Sequence, residues 1–140
     1  MLITRVNGWI DAAECKRRYR QINDFERMLA DTGATILKFY LNISRDEQKR
    51  RLEARRDDPE KQWKFHLDDL AVRERWDDYM RAYEAVLSAT RSAHAPWHVI
   101  PANSKLARNL AVSRLLIDAL EGLNMRFPEP PQGISETMIV

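Results

Sequence analysis

Ala34-Thr-Ile-Leu-Lys-Phe-Tyr-Leu-Asn-Ile43, followed at once by Ser44-Arg-Asp-Glu47, decides the fold class of this 140-residue chain. The first run is short, rich in β-branched and aromatic side chains and nearly continuous in hydrophobicity, which predicts a strand buried in a parallel sheet. Ser44 with Glu47 three positions later is a capping box, so a helix starts where the strand stops and runs to about residue 56. A strand that hands over directly to a helix is the repeating step of an α/β layer with parallel strands.

Upstream, Asp11-Ala-Ala-Glu14 has a similar cap pattern, and Cys15, Tyr19, Ile22, Phe25 and Leu29 recur at steps of four and three. They predict an amphipathic helix that Gly33 stops. Downstream, Asp57-Asp58-Pro59 ends the 45–56 helix, whose only large apolar residue is Leu52, and a loop through Trp63 and Phe65 follows. A long helix is predicted over 67–91, with Val72, Trp76, Tyr79, Met80, Tyr83, Val86, Leu87 and Thr90 on one face. Ala95-Pro96 breaks it, and 97–100 forms a second strand ending at Pro101. Asn103 or Ser104 caps a last helix over 105–123, with Leu106, Leu110, Ile117 and Leu120 along one side. Pro128, Pro130, Pro131 and Gly133 mark 124–140 as an extended, mobile tail. The expectation is two parallel strands with about four helices. Two strands leave two open edges and too little sheet for four helices to cover, so the chain reads as the second half of something larger.

Apolar residues make up 44% of the chain, enough to bury a core and too many for disorder throughout. Lys and Arg total 23 and Asp and Glu 21, so the net charge of 23 − 21 = +2 excludes a polycationic, histone-like role. Cys15, the lone cysteine, can form no internal disulfide and falls on an apolar stripe as a core thiol, which fits a reducing cytoplasmic location. His66, His94 and His98 are too scattered to build a zinc cluster with it; His94 and His98 are expected at surface or half-buried positions. Lys38 and Arg114 interrupt the best apolar runs, so no membrane span is expected. Residues 1–10 lack the pattern of a secretory leader.

Chemistry concentrates between residues 45 and 64. Arg45, Lys49, Arg50, Arg51, Arg55, Arg56, Lys61 and Lys64 stand against six acids in that stretch. Guanidinium forks and flexible ammonium groups suit a cover over a phosphate chain. The same pattern also fits a solvated helix laced with Glu/Arg pairs such as Glu47 with Arg51. Trp63, between two lysines, can stack on a base or pin the loop to the body, and pinning is the expectation. Asp68, Asp69, Asp77 and Asp78 are adjacent pairs on a helix and read as structural, the first pair favoured in an opening turn by the helix dipole. No nucleophile elbow, H-E-x-x-H or Gly-rich phosphate loop occurs, and glycines at 8, 33, 122 and 133 are too far apart to cradle a phosphate. Nucleic-acid binding is disfavoured because the cations are mixed with acids and no aromatic ladder accompanies them.

Four separated segments, Lys38-Phe-Tyr-Leu-Asn-Ile-Ser-Arg-Asp-Glu-Gln48, Arg55-Arg-Asp-Asp-Pro-Glu-Lys-Gln-Trp-Lys64, Arg75-Trp-Asp-Asp-Tyr79 and Ala95-Pro-Trp-His-Val-Ile-Pro-Ala-Asn-Ser-Lys105, closely resemble the polyphosphate kinase 2 family in the same order. The resemblance covers residues 2–123. It implies a partial P-loop kinase-like, thymidylate kinase-like three-layer α/β fold, with 1–123 as the C-terminal part of the domain and a lid at about 45–66. In this family a terminal phosphoryl group moves between inorganic polyphosphate and a nucleoside phosphate (ADP/ATP or GDP/GTP) with magnesium (Mg²⁺). The phosphate loop and the metal-binding aspartates would lie before Met1, so the resemblance supplies no catalytic residue and no metal ligand here. What it supplies is the lid: Arg55, Arg56, Lys61 and Lys64 match the cations that grip the phosphate chain, with Arg73 and Arg75 as secondary candidates. The chain is therefore expected to be a lid-bearing fragment of a phosphotransferase, inactive by itself, with a non-catalytic polyanion-binding or assembly module as the alternative. Its open sheet edge and apolar helix faces predict self-association.

Overall fold

The computed structural model describes residues 2–134. In chain order the elements are α1 (Leu2–Val6), α2 (Ala12–Asp31), β1 (Lys38–Asn42), α3 (Arg45–Arg56), a 3₁₀ turn (Gln62–Lys64), α4 (Asp68–Glu74), α5 (Trp76–Ala89), β2 (Trp97–Pro101) and α6 (Lys105–Gly122). β1 and β2 pair in parallel, from Lys38 opposite Trp97 to Asn42 opposite Pro101. The α/β class with two parallel strands is as expected. Among the described residues there are six α-helices instead of about four. One extra is α1; the other arises because the expected 67–91 helix is broken at Arg75 (φ −95°, ψ 27°). No proline or glycine marks that break in sequence. Its cause is tertiary: the Arg75 guanidinium donates to the Val6 carbonyl and to Asn7 Oδ1 (2.9 Å), tying the junction to the end of α1. Residues 125–131 carry neither helix nor strand, and residues 135–140 of the expected tail lie outside the described residues.

The helix ends obey local rules. Asp11 Oδ1 accepts from the Glu14 N–H at 2.7 Å, and Ser104 Oγ accepts from the Ala107 N–H at 3.3 Å. At the end of α2, Gly33 (φ +93°) donates its N–H to the Ala30 carbonyl, and Ala34 donates to the Leu29 carbonyl, both at 3.0 Å. This is a Schellman closure, which needs the left-handed conformation that glycine adopts without a steric penalty.

The interior is held by a polar knot as well as by apolar packing. Lys38 on β1 sends its ammonium to Glu26 of α2 (2.7 Å) and to the Thr90 carbonyl at the end of α5 (2.6 Å), and lies 5.0 Å over the Trp97 ring on β2. Trp97 Nε1 donates to Thr90 Oγ1 at 3.0 Å. The Lys38 and Glu26 side chains are only 10% and 13% exposed, so the charge that interrupts the apolar run in sequence is nearly buried and paired. The neighbouring Tyr40 packs its ring 4.9 Å from Tyr83 of α5 and donates to Met80 Sδ. Cys15 is buried, as its place on the α2 stripe predicts.

Much of the remaining apolar surface is uncovered. The accessible area is 11065 Å², against about 7,500 Å² for a compact chain of this mass. β1 and β2 are mostly half-buried or exposed, with Ile100 alone fully buried, which departs from the buried-strand expectation. On α6 the side expected inward is the outer one: Leu106 is 80% and Leu110 70% exposed, while Ala111, Val112, Leu115 and Ala119 are half-buried. A helix apolar on nearly every face carries no periodicity that selects which face turns inward. On α2, Phe25 is exposed and Glu26 takes the inward place, because Lys38 needs its carboxylate.

Candidate functional site: the carboxyl edge of the sheet and a cationic turn

Both strands lead directly into helices, so α3 and α6 start side by side at the carboxyl ends of β1 and β2. A hollow of about 460 Å³ lies there, lined by Asn42, Ile43, Ser44, Pro101, Ala102, Asn103, Ser104 and Ala107. In parallel α/β sheets this edge is where ligands bind. The two loops are cross-linked: the Ser44 N–H donates to Asn103 Oδ1 (2.9 Å), and Asn103 Nδ2 donates to Ser44 Oγ (3.2 Å). Only half of the predicted capping box therefore forms. Ser44 Oγ accepts from the Glu47 N–H, but the Glu47 carboxylate turns to Arg50 and Arg51 instead of to Ser44.

Arg51 is the residue that ties α3 to this edge. Its Nε donates to Glu47 Oε1 (2.7 Å), and its Nη2 donates to the Ala102 carbonyl (2.6 Å) and the Asn103 carbonyl (3.2 Å). The i,i+4 pair with Glu47 is visible in the sequence; the carbonyls lie 51 and 52 residues away and are not. Arg50 and Arg51 together hold the Glu47 carboxyl down to about 2, the Arg50 hydrogen bonds contributing most.

The lid candidates lie around one turn. α3 ends at Arg56; Asp58 then caps the reversal, its carbonyl accepting from the Lys61 and Gln62 N–H groups at 2.8 and 3.0 Å, while Gln62 Nε2 reaches back to the Arg56 carbonyl at 2.8 Å. The cations differ in what already holds them. Arg56 is clasped by both oxygens of Asp57 (2.6 and 3.1 Å), and Lys61 by Asp58. These contacts lower the Asp57 and Asp58 carboxyl pKa values and raise that of Arg56. Arg55, by contrast, makes only long contacts, 3.5 Å to the Lys64 carbonyl and 3.8 Å to Asp69. Lys64 lies 4.7 Å over the Trp63 ring. Trp63 is 75% exposed, so it does not pin the loop to the body as expected.

The secondary candidates stand elsewhere. Arg73 donates to the Arg45 carbonyl and Gln48 Oε1, both at 2.8 Å, bracing the first turn of α3. Arg75 serves the α1 junction and Asp78. Among the described residues no three of His, Cys, Asp and Glu converge to hold a metal ion. Asp69 and Asp78 face arginines, Asp69 opposite Arg55 and Asp78 between Arg75 and Arg81. His94 is exposed and His98 half-buried beside Phe39, as expected. No helix among the described residues is long and apolar enough to cross a membrane.

The family model described as Polyphosphate kinase 2 matches residues 1–128. The chain belongs to the polyphosphate kinase 2 family. It is 49% identical over 140 residues to the AMP/ADP-polyphosphate phosphotransferase of Meiothermus ruber, a match that covers all of this chain and 52% of that protein. It is 47% identical over 113 residues to the ADP-polyphosphate phosphotransferase of Rhodopseudomonas palustris, covering 81% of this chain and 39% of the relative. The crystal structure of Polyphosphate Kinase 2 from Arthrobacter aurescens TC1 superposes with a TM-score of 0.92 at 53% identity, over 96% of this chain and 47% of that one. The likeness fits the partial P-loop kinase-like, three-layer α/β fold that the sequence resemblance implies. The chain spans about half the length of the Meiothermus ruber and Arthrobacter aurescens proteins.

Proposed function

We propose that this chain supplies the phosphate-gripping lid of a cytoplasmic polyphosphate:nucleoside-phosphate phosphotransferase and transfers no phosphoryl group by itself. The observation that carries the reading is the exposed turn of Arg55, Arg56, Lys61 and Lys64, tied through Arg51 to the carboxyl edge of a parallel sheet in a member of this family. Phosphoryl transfer spreads negative charge over the transferring group, and positioned cations stabilise that charge in proportion to how fully they exclude water. A lid on a short helix and a loop can close over a flexible polyanion and open to release it. Arg55 and Lys64 are the first to engage, and Arg56 and Lys61 follow by exchanging Asp57 and Asp58 for phosphate oxygens. The relatives named for AMP and ADP point to an adenine nucleotide as the second substrate, with Mg²⁺ held by residues outside this chain.

The test is the purified 140-residue chain with ADP, magnesium and long-chain polyphosphate, with ATP formation followed by a coupled luminescent assay. No ATP above the enzyme-free control is expected, together with salt-sensitive polyphosphate retention by the same sample. Turnover by the chain alone would overturn the reading, and so would a failure to retain polyphosphate. The exposed apolar faces favour a second reading, a non-catalytic assembly module that self-associates; binding of polyphosphate that ignores the lid cations would favour it.

A further inference from the structure

α6 turns a complete apolar stripe to solvent. Leu106, Leu110, Ile117 and Leu120 are exposed, and with the exposed Ser113 between them they follow steps of four, three, four and three. That is the spacing of a seam packed against one other helix, and a small residue midway lets the two axes come close. The charges of α6 identify the partner. Its first turns hold Lys105 and Arg108 and no acid, and its last turns hold Asp118 and Glu121 and no base. Each sign opposes the helix's own dipole, which favours acids at the start and bases at the end. α3, by contrast, opens on Asp46 and Glu47 and closes on Arg55 and Arg56. Among the described residues the Lys105 and Glu121 side chains have no hydrogen-bond or ion-pair partner, whereas Arg114 pairs with Asp118 at 3.0 Å. A second α6 laid antiparallel sets the cationic start of each helix beside the acidic end of the other, so both mismatches become favourable. A parallel copy would double them.

We propose that two copies of this chain pair through the outer stripe of α6, antiparallel about a two-fold axis near Ser113. A two-fold interface must be self-complementary, and this one is: the Leu106 and Leu110 end of one stripe lies against the Ile117 and Leu120 end of the other. No residue of the cationic turn takes part, so the pairing stands apart from the phosphate-binding reading.

The experiment is sedimentation equilibrium of the full 140-residue chain without nucleotide or polyphosphate, and a dimer is expected. Leu110→Glu should weaken it by about a hundredfold or more, since both copies lose a leucine contact at the seam. Ile3→Glu, in the apolar groove between α1, β1 and α5, should leave it unchanged. A short bis-maleimide reads the orientation. Ser113→Cys, near the axis, is linked into a covalent dimer, whereas Ala107→Cys lies on the order of 20 Å from its counterpart in an antiparallel pair and is not. Cys15 is buried, and the unmodified chain controls for it. Circular dichroism checks that each variant folds; if Leu110→Glu does not, the contrast between Ser113→Cys and Ala107→Cys decides the matter. A chain that sediments as a monomer overturns the proposal and leaves the stripe to a different partner. Equal linking at the two cysteine positions overturns it too, as does a dimer lost with Ile3→Glu and kept with Leu110→Glu.

Discussion

Arg55→Ala and Arg56→Ala make a discriminating pair, because the two residues are adjacent in sequence and opposite in circumstance. Arg55 is 38% exposed, and its nearest acid, Asp69, is 3.8 Å away. Arg56 is held bidentately by Asp57 at 2.6 and 3.1 Å. A unit charge pair about 4 Å apart is worth about 1 kcal/mol in water and about 4 kcal/mol near a protein surface, and an exposed turn lies near the first limit. Losing Arg55 should therefore weaken polyphosphate binding by about fivefold at moderate salt. Losing Arg56 should change it by less than about twofold, since its gain from phosphate is offset by the release of Asp57. Titration calorimetry with long-chain polyphosphate at several salt concentrations reads both numbers. The slope of log affinity against log salt should fall by about one for Arg55→Ala, as each cation on a polyanion releases about one counterion. Equal losses for the two variants, or binding that does not respond to salt, would refute the reasoning.

Lys38→Met leaves the Glu26 carboxylate nearly buried without its partner and should cost about 3 kcal/mol in urea unfolding; the Glu26→Gln/Lys38→Met double variant should recover most of it, and additive losses would rule out the pairing. Glu47, held down to about 2 by Arg50 and Arg51, has a folded value below the ordinary glutamate value of about 4.3. Its contribution is therefore complete above that ordinary value and is lost as pH falls through about 2. Glu47→Gln should flatten the fall in melting temperature over that window, and an unchanged acid profile would count against the pairing. On α6, Leu110→Lys together with Ile117→Glu should reduce self-association on sedimentation with no loss of helical signal, since both side chains are outward; loss of folding instead would show that they are buried.

The parallel pairing followed from the helices between the strands, and of Asn103 and Ser104 the cap is Ser104. The two strands and the caps at Asp11 and Ser44 were legible because each depends on residues within a few positions of one another. The break at Arg75 was not, since the carbonyl of Val6 and the amide of Asn7 that draw the guanidinium away are some seventy residues distant. The cations of the candidate site were likewise legible as a cluster. Which of them are free to meet a phosphate was not, because that depends on which acid each side chain turns to, Arg56 to the adjacent Asp57 and Lys61 across the turn to Asp58.

By itself the sequence determined where α2, α3 and α6 begin, which family's motifs the chain carries and where its positive charge gathers, because these are properties of short segments and their order. Tertiary structure alone decided which faces are used. Glu26 displaced Phe25 from the inward side of α2 because a buried ammonium must be paired, and α6 turned Leu106 and Leu110 outward with Ala111, Val112, Leu115 and Ala119 on its half-buried side. Burial is fixed by the partners that packing provides, and the apolar faces that find none stay exposed.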